Sequence, residues 1–253
     1  MMQNSQSPAA ILTREDGATI AYHRAPGRAP GVIFLGGFMS DMTGTKAQAL
    51  DAFCRARGQA FLRFDYFGHG QSSGEFKAAT VGRWKADALA VLDRLTDGPQ
   101  ILIGSSLGGW LMLLVARDRP QRVKALIGIA TAPDATEDLM WQRFPPDVRA
   151  AIERDGSARL PSAYSEQGYL ITRDLIIEGR SHLIMRQAIP LAGPVRLLHG
   201  MTDAEVPYQT SLDLAARIAS ADLRVTLIKD GDHRLSRDQD LALLTTTLGE
   251  LLG

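Results

Sequence analysis

Short apolar runs alternate with longer segments of helical period along most of this chain. Runs at Ala18–Arg24, Val32–Leu35, Ala60–Phe64, Ile101–Ile103, Ala125–Ile129, Val195–His199 and Val225–Lys229 are predicted strands. Segments at Thr45–Arg57, Val81–Leu95, Leu107–Arg117, Tyr208–Ile218 and Arg237–Leu252 are predicted helices. Strands that are apolar throughout, interleaved with helices, predict an α/β fold with a mostly parallel sheet flanked by helices. Around Asp16-Gly17 the stretch Leu12–Arg24 predicts a hairpin at one sheet edge.

One stretch breaks the alternation. Between Pro133 and Pro194 no strand–helix unit of the core type is visible. Pro145-Pro146 instead opens a helix through Arg154, and Gly156 is placed to end it. A further amphipathic stretch runs from about Thr172 to Leu183. An open sheet binds ligands outside its strand ends, so a small helical lid is expected there. The expectation is a single domain over 1–253 with this lid insertion at about 133–194.

The chemistry begins at Gly104-Ser105-Ser106-Leu107-Gly108. It follows the strand Ile101–Ile103 and opens a helix with Gly109-Trp110-Leu111. Strand, Gly-x-Ser-x-Gly turn and helix make the nucleophile elbow of the α/β-hydrolases. A serine held out at the tip of a tight turn needs small neighbours, and Gly104 and Gly108 supply them. The Leu107 N–H then points at the developing oxyanion. Gly70-Gln71-Ser72-Ser73-Gly74 fits the same pattern. It follows a polar, glycine-rich stretch with no strand before it, so it reads as a loop.

A serine nucleophile needs a base, and the base needs an orienting carboxylate. In this fold the chain order is Ser, then Asp or Glu, then His. Asp203 follows the strand Val195–His199 and precedes Val206-Pro207, which opens a helix. His233 follows the last strand, in Lys229-Asp230-Gly231-Asp232-His233. Ser106, Asp203 and His233 are therefore the expected triad. His23, His69, His182 and His199 sit out of order or away from a suitable strand end, and His199 reads as structural. The second oxyanion donor is expected from Gly36-Gly37-Phe38-Met39, as the Phe38 N–H or the Gly37 N–H. Phe38, Met39, Met42, Leu139, Met140, Trp141 and Phe144 are candidates for an apolar acyl pocket.

Composition removes other classes. The 28 basic and 28 acidic residues balance, which argues against nucleic acid as a partner. No apolar run approaches the roughly 18 residues that span a bilayer, so stable membrane insertion is not expected. The single Cys54 excludes an internal disulfide and fits a reducing compartment. The polar N-terminus, Met1-Met2-Gln3-Asn4-Ser5-Gln6-Ser7-Pro8, has neither a signal-peptide nor a transit-peptide pattern. A cytoplasmic location is the expectation, with a processed organellar protein as the alternative. No metal and no organic cofactor is expected.

Longer strings carry a resemblance. Gly104-Ser105-Ser106-Leu107-Gly108-Gly109-Trp110-Leu111-Met112 is one, and Arg63-Phe64-Asp65-Tyr66-Phe67-Gly68 is another. Leu160-Pro161-Ser162-Ala163-Tyr164-Ser165-Glu166, Arg196–Met201, Gly44–Ala47 and Asp232-His233-Arg234 complete the set. Together they resemble the mitochondrial palmitoyl-protein thioesterase, or mycophenolic acid acyl-glucuronide esterase, group of the α/β-hydrolase superfamily. The resemblance implies the same triad. It also implies acyl esters and acyl thioesters as substrates, either small molecules or acylated proteins. Gly36 stands where that group is expected to carry proline, which implies a more flexible oxyanion loop. The mitochondrial presequence is not recognisable, as expected of a bacterial relative. The reading is a serine hydrolase that works through an acyl-enzyme. Its alternatives are a cofactor-free haloperoxidase or carbon–carbon bond hydrolase on the same triad, or a ligand receptor on a hydrolase scaffold.

Overall fold

A computed structural model describes residues 8–162 and 165–253. Among the described residues ten strands and seven α-helices follow in chain order. β1 (Ala10–Thr13) and β2 (Thr19–Ala25) form the expected edge hairpin. β3 (Arg28–Leu35), α1 (Thr45–Ala56), β4 (Gln59–Phe64) and α2 (Val81–Leu95) follow. Next come β5 (Gln100–Ser105), α3 (Leu107–Asp118) and β6 (Val123–Ile129). Then α4 (Pro146–Asp155), β7 (Ser157–Ser162), β8 (Ser165–Thr172) and α5 (Arg173–Gly179) interrupt the alternation. β9 (Val195–Gly200), α6 (Gln209–Arg217), β10 (Leu223–Ile228) and α7 (Asp238–Leu252) complete the chain.

Eight strands make one sheet in the order β1-β2-β4-β3-β5-β6-β9-β10. The six from β4 to β10 run parallel, and β2 joins β4 antiparallel. Side chains alternate across each strand, so every central strand feeds two cores. Val32, Phe34, Ile101, Ile103, Ile127 and Ile129 meet α1 and α7 on one face. Ile33, Leu35, Leu102 and Leu126 meet α2, α3 and α6 on the other. Helix α3 is buried from Leu107 to Ala116, since it packs on the sheet and is covered by α2. That explains why its sequence is apolar almost all round.

The segment expected to be a helical lid is mixed. After β6 the chain makes a π-helical turn at Thr136–Met140 and a 3₁₀ turn at Trp141–Arg143 before α4. α4 opens on Pro146 and ends at Gly156 in the left-handed region (φ 80°), as the spacing predicts. A two-stranded antiparallel hairpin, β7–β8, then replaces the expected continuation. Its signal is short: Ala158 and Leu160 alternate on one strand, Tyr169 and Ile171 on the other. These four pack on Ile152 and Ile176 in a small third core. The stretch from Thr172 is helical only to Gly179, with a 3₁₀ turn at Arg180–His182. Part of the string Leu160–Glu166 lies outside the described residues, at Ala163 and Tyr164.

A buried carboxylate closes the base of this insertion. Asp134 is fully buried and accepts the Ile184 N–H at 2.7 Å and the Met185 N–H at 3.0 Å. It ties the start of the insertion to its return. Asp134 also sits at φ 55°, which asparagine tolerates. Asp134→Asn turns one acceptor into a donor and leaves a buried N–H unpaired, at about 1–3 kcal/mol. Urea unfolding should show that loss. Asp155→Ala, which breaks an exposed pair with Arg154, should stay within about 1 kcal/mol of wild type.

Candidate active site

Ser106 stands alone between β5 and α3 at φ 54°, ψ −118°. That conformation is costly for a residue with a side chain, so its surroundings must impose it. The Ser106 N–H donates to the Ile129 carbonyl (2.8 Å), and its own carbonyl accepts the Ala132 N–H (3.1 Å). The end of β6 therefore grips the turn from one side. Gly108 lies so close to β3 that a Cβ there would collide with the Leu35 and Gly36 carbonyls. Glycine is needed at that position for the helix to start where it does.

Loops from two other strands bring partners to Ser106. Its Oγ lies 3.0 Å from His233 Nε2, and His233 Nδ1 lies 2.7 Å from Asp203 Oδ2. Ser106, Asp203 and His233 thus converge from positions far apart in sequence. Asp203 Oδ1 accepts the Glu205 and Val206 N–H groups at 2.9 Å each, which fixes the carboxylate plane. A fourth residue joins them. His199 Nε2 lies 3.2 Å from Asp203 Oδ2 and 3.0 Å from the Val206 carbonyl, and its Nδ1 lies 2.7 Å from Ser211 Oγ. A carbonyl only accepts, so Nε2 carries the proton and Nδ1 takes the Ser211 hydroxyl. His199 is structural, as expected, but part of what it supports is Asp203. Its position four residues before the candidate acid was the available signal.

The charge on Asp203 follows from this set of partners. Burial opposes ionisation, yet hydrogen bonds from His199 and His233, the His233 charge and the Val206 N–H together outweigh it. The pKa of Asp203 ends well below the usual carboxylate range. The other serine of the Gly-x-Ser-x-Gly pair has different work. Ser72 Oγ donates to the Asp65 carbonyl (2.6 Å) and accepts the Ala21 N–H (2.9 Å), pinning a loop to β2. Cys54 is buried on α1, and desolvation with Asp51 beside it pushes its thiol up to about 12, leaving it unreactive.

Leu107 is the first residue of α3, so its N–H is one of the four a helix leaves without an internal acceptor. The loop after β3 passes beside the nucleophile: a Cβ on Gly37 would stand 3.6 Å from the Ser106 Cβ. Two of this loop's N–H groups are already engaged. Ser40 donates to the Gly37 carbonyl (3.2 Å) and Met39 donates to His69 Nε2 (3.2 Å). Farther along, Met42 donates to Asp65 Oδ1 (2.7 Å), and Arg63 donates to the Met42 carbonyl. The loop is tied down at several points despite Gly36.

Ser106 and His233 open onto a cavity of about 1240 Å³. Phe38, Met39, Leu139, Met140 and Phe144 line it as expected, and Leu160, Tyr169 and Ile171 of the hairpin add apolar wall. Two expected pocket residues do not belong to it. Met42 is 1% exposed and packed in the core, its backbone claimed by Asp65 and Arg63. Trp141 packs on the third core with the Arg180 guanidinium over its ring at 5.5 Å. Neighbouring residues on a helical turn point in different directions, so Met140 faces the cavity and Trp141 does not. Polar residues line the cavity as well, Ser40, Asp41, Thr43, Lys46 and Ser236 among them. Lys46 donates to the Arg234 carbonyl and lies 3.3 Å from Ser236 Oγ; burial, with the Arg234 charge, pulls its ammonium down to about 8.

A strained serine elbow on a mostly parallel sheet, with a histidine and a carboxylate behind it, defines the class of serine hydrolases on the α/β-hydrolase fold. The chain belongs to the alpha/beta hydrolase fold family, whose profile matches residues 30–167. Within it, the chain is 46% identical over 243 residues to the mitochondrial palmitoyl-protein thioesterase ABHD10 of Mus musculus, covering 96% of this chain and 82% of that one. The Homo sapiens protein of the same name is 44% identical, with 96% and 79% covered. The solved alpha/beta hydrolase domain-containing protein 10 from mouse superposes with a TM-score of 0.90 at 46% identity, covering 97% of this chain and 98% of that one. A solved chain from Agrobacterium vitis S4 superposes with a TM-score of 0.92 at 37% identity, with the same coverage. The resemblance carried by the elbow and loop strings is thereby borne out. Among the described residues no helix is long and apolar enough to cross a membrane.

The depressed pKa of Asp203 has a consequence for stability. An ionised Asp203 favours the folded state fully above the usual carboxylate range, near pH 4, and its contribution is lost as pH falls below that toward the lower folded-state value. Urea unfolding of wild type and Asp203→Asn should show a gap at pH 7 that narrows steadily below about pH 4. A gap that does not change with pH would mean that the two histidines do not hold Asp203 ionised.

Proposed function

We propose that this chain hydrolyses acyl thioesters and carboxylic esters through a Ser106 acyl-enzyme, with protein depalmitoylation or acyl-glucuronide de-esterification among its activities. The observation that carries the reading is the unbroken line from Ser106 Oγ through His233 to Asp203, at 3.0 and 2.7 Å, opening on a partly apolar cavity. The thioesterase names of the relatives support the substrate class.

In this reading Ser106 Oγ attacks the acyl carbon and His233 Nε2 takes its proton. Asp203 holds the imidazole with Nδ1 protonated and stabilises the imidazolium. The Leu107 and Phe38 N–H groups hold the oxyanion, with Gly37 as the alternative second donor. As the carbonyl re-forms, the thiolate or alkoxide leaves with the proton from His233. Water then attacks the acyl-enzyme, gives its proton to His233, and the acid leaves as Ser106 is re-protonated. No metal or organic cofactor enters these steps.

The insertion at about 133–194 acts as a lid on this reading, with the acyl chain lying along Leu139, Met140 and Phe144. A fatty acyl group, free or on a protein, is the proposed partner. The relatives are named as mitochondrial; for this chain a cytoplasmic setting is the proposal, and its one buried cysteine suits any reducing compartment.

A fluorophosphonate probe should label wild type and Ser72→Ala but not Ser106→Ala. Undiminished labelling of Ser106→Ala would remove it as nucleophile. Asp203→Asn should lower kcat on the order of 10⁴-fold while remaining folded at neutral pH.

Chain length tests the pocket. Truncating a large apolar side chain that meets the acyl group forfeits about 1.5–3 kcal/mol, roughly 10–100-fold in kcat/KM. Phe144→Ala and Met140→Ala should therefore weaken hydrolysis of long acyl thioesters most and leave acetyl esters nearly unchanged. Trp141→Ala should lower stability without changing the dependence on chain length. Equal losses at every length for Phe144→Ala would dismiss the acyl-pocket role.

A further inference from the structure

Met39 lies in the loop beside the nucleophile at φ 56°, in the left-handed region. A methionine does not hold that conformation by preference. Its N–H donates to Nε2 of His69, 3.2 Å away and thirty residues along the chain. His69 comes from the loop after β4 and has no hydrogen bond to Ser106, His233 or Asp203 among the described contacts. It is only 6% exposed, and the proposed mechanism leaves it without a task.

The ring is built to accept rather than donate at Nε2. Its Nδ1 lies 3.2 Å from the Phe67 carbonyl, which can only accept, so Nδ1 carries the proton. The Met39 N–H can only donate, so Nε2 offers its lone pair. Both neighbours select one neutral tautomer. Three aromatic rings enclose it: Phe76 at 5.3 Å, Trp84 at 5.5 Å and Tyr66 at 5.8 Å, all near edge-on. Burial lowers its pKa, which keeps the second proton off.

Two of these rings also hold Phe38. Its side chain meets Phe76 at 5.0 Å and Trp84 at 6.0 Å. The residue proposed as second oxyanion donor is thus fixed through its side chain, and the peptide that follows it through the Met39 N–H. Peptide units are planar, so pinning that N–H sets the whole Phe38–Met39 plane. Rotation of this plane would bring a carbonyl toward His69 Nε2, lone pair against lone pair.

We propose that His69 is a positioning residue for the oxyanion hole, holding the Gly36–Asp41 loop through the Met39 amide so that its remaining N–H groups face the tetrahedral oxyanion. The proposal rests on the reading of Ser106 as nucleophile. It makes the neutral His69 ring a fixed hydrogen-bond acceptor rather than a proton carrier.

His69→Phe keeps a ring in the aromatic enclosure and removes the acceptor. His69→Gln places an amide oxygen near the position of Nε2. With butyryl thioester as substrate, His69→Phe should lower kcat about 10–100-fold and leave KM within about threefold, because it misplaces a donor whose outright removal costs on the order of 10²–10³. His69→Gln should recover most of kcat. An alkyl trifluoromethyl ketone, which forms a tetrahedral adduct with its oxygen in the hole, should bind His69→Phe weaker by the same factor as kcat. Loss of packing alone would not tie those two factors together. Fluorophosphonate should still label His69→Phe to completion, and failure to label wild type at Ser106 would instead defeat the nucleophile reading. Labelling at Ser106 with kcat of His69→Phe within twofold of wild type overturns the role of His69. If His69→Phe does not fold, ¹⁵N-histidine NMR on wild type decides: Nδ1 protonated with Nε2 bare supports the proposal, and a proton on Nε2 overturns it.

Discussion

Ser106 holds φ 54° because the elements around it leave the turn no other path. Its N–H and carbonyl are claimed at the end of β6, and α3 starts against the β3 backbone at a distance only glycine at 108 permits. Such a residue costs roughly 1–3 kcal/mol in strain. Helix α3 buries Trp110, Leu111, Leu113 and Leu114 completely, each contributing about 1.5–3 kcal/mol. Burial wins by a wide margin, so the strain persists as geometry. Everything else at the site is set relative to that serine: His233 and Asp203 reach it from the ends of β10 and β9.

Two aspartates with covered side chains show how partners decide what a carboxylate does. Asp65 accepts the Met42 and Gln71 N–H groups, and desolvation still raises its pKa. Asp203 is also desolvated, but it faces two imidazoles as well as backbone amides, and its pKa falls. The first organises a loop. The second holds the His233 ring that reaches Ser106. Burial is common to both, and the nearby imidazoles make the difference.

The inserted segment is joined to the rest by specific contacts at both levels. Asp134 ties its two ends, and Tyr169 of β8 meets the Phe38 ring at 5.4 Å. Phe38 therefore touches the core, the hairpin and the nucleophile's surroundings at once. The cavity in front of Ser106 is lined by apolar side chains of the insertion and also by Lys46.

The order of strands and helices was legible because the core strands are largely apolar on both faces and the helices other than α3 carry a regular stripe. Boundaries moved by a few residues at most, and α2 matched from Val81 to Leu95. Ser106 was distinguishable from Ser72 by local context alone, since one follows a strand and the other a loop. The hairpin β7–β8 was hidden because its alternation covers only two residues per strand. Met42 and Trp141 were misread because composition names apolar residues without saying which way they face. His199 was legible as structural, though not as a support of Asp203 four residues on, and the contact of His69 with a loop thirty residues away had no local signal. Local periodicity and turn chemistry are written in neighbouring residues, and the sequence alone determined the fold class, the elbow and the order of Ser106, Asp203 and His233. Orientation, burial and long-range hydrogen bonds exist only once distant segments pack, and tertiary structure alone decided which side chains line the cavity and which histidines hold the site in shape.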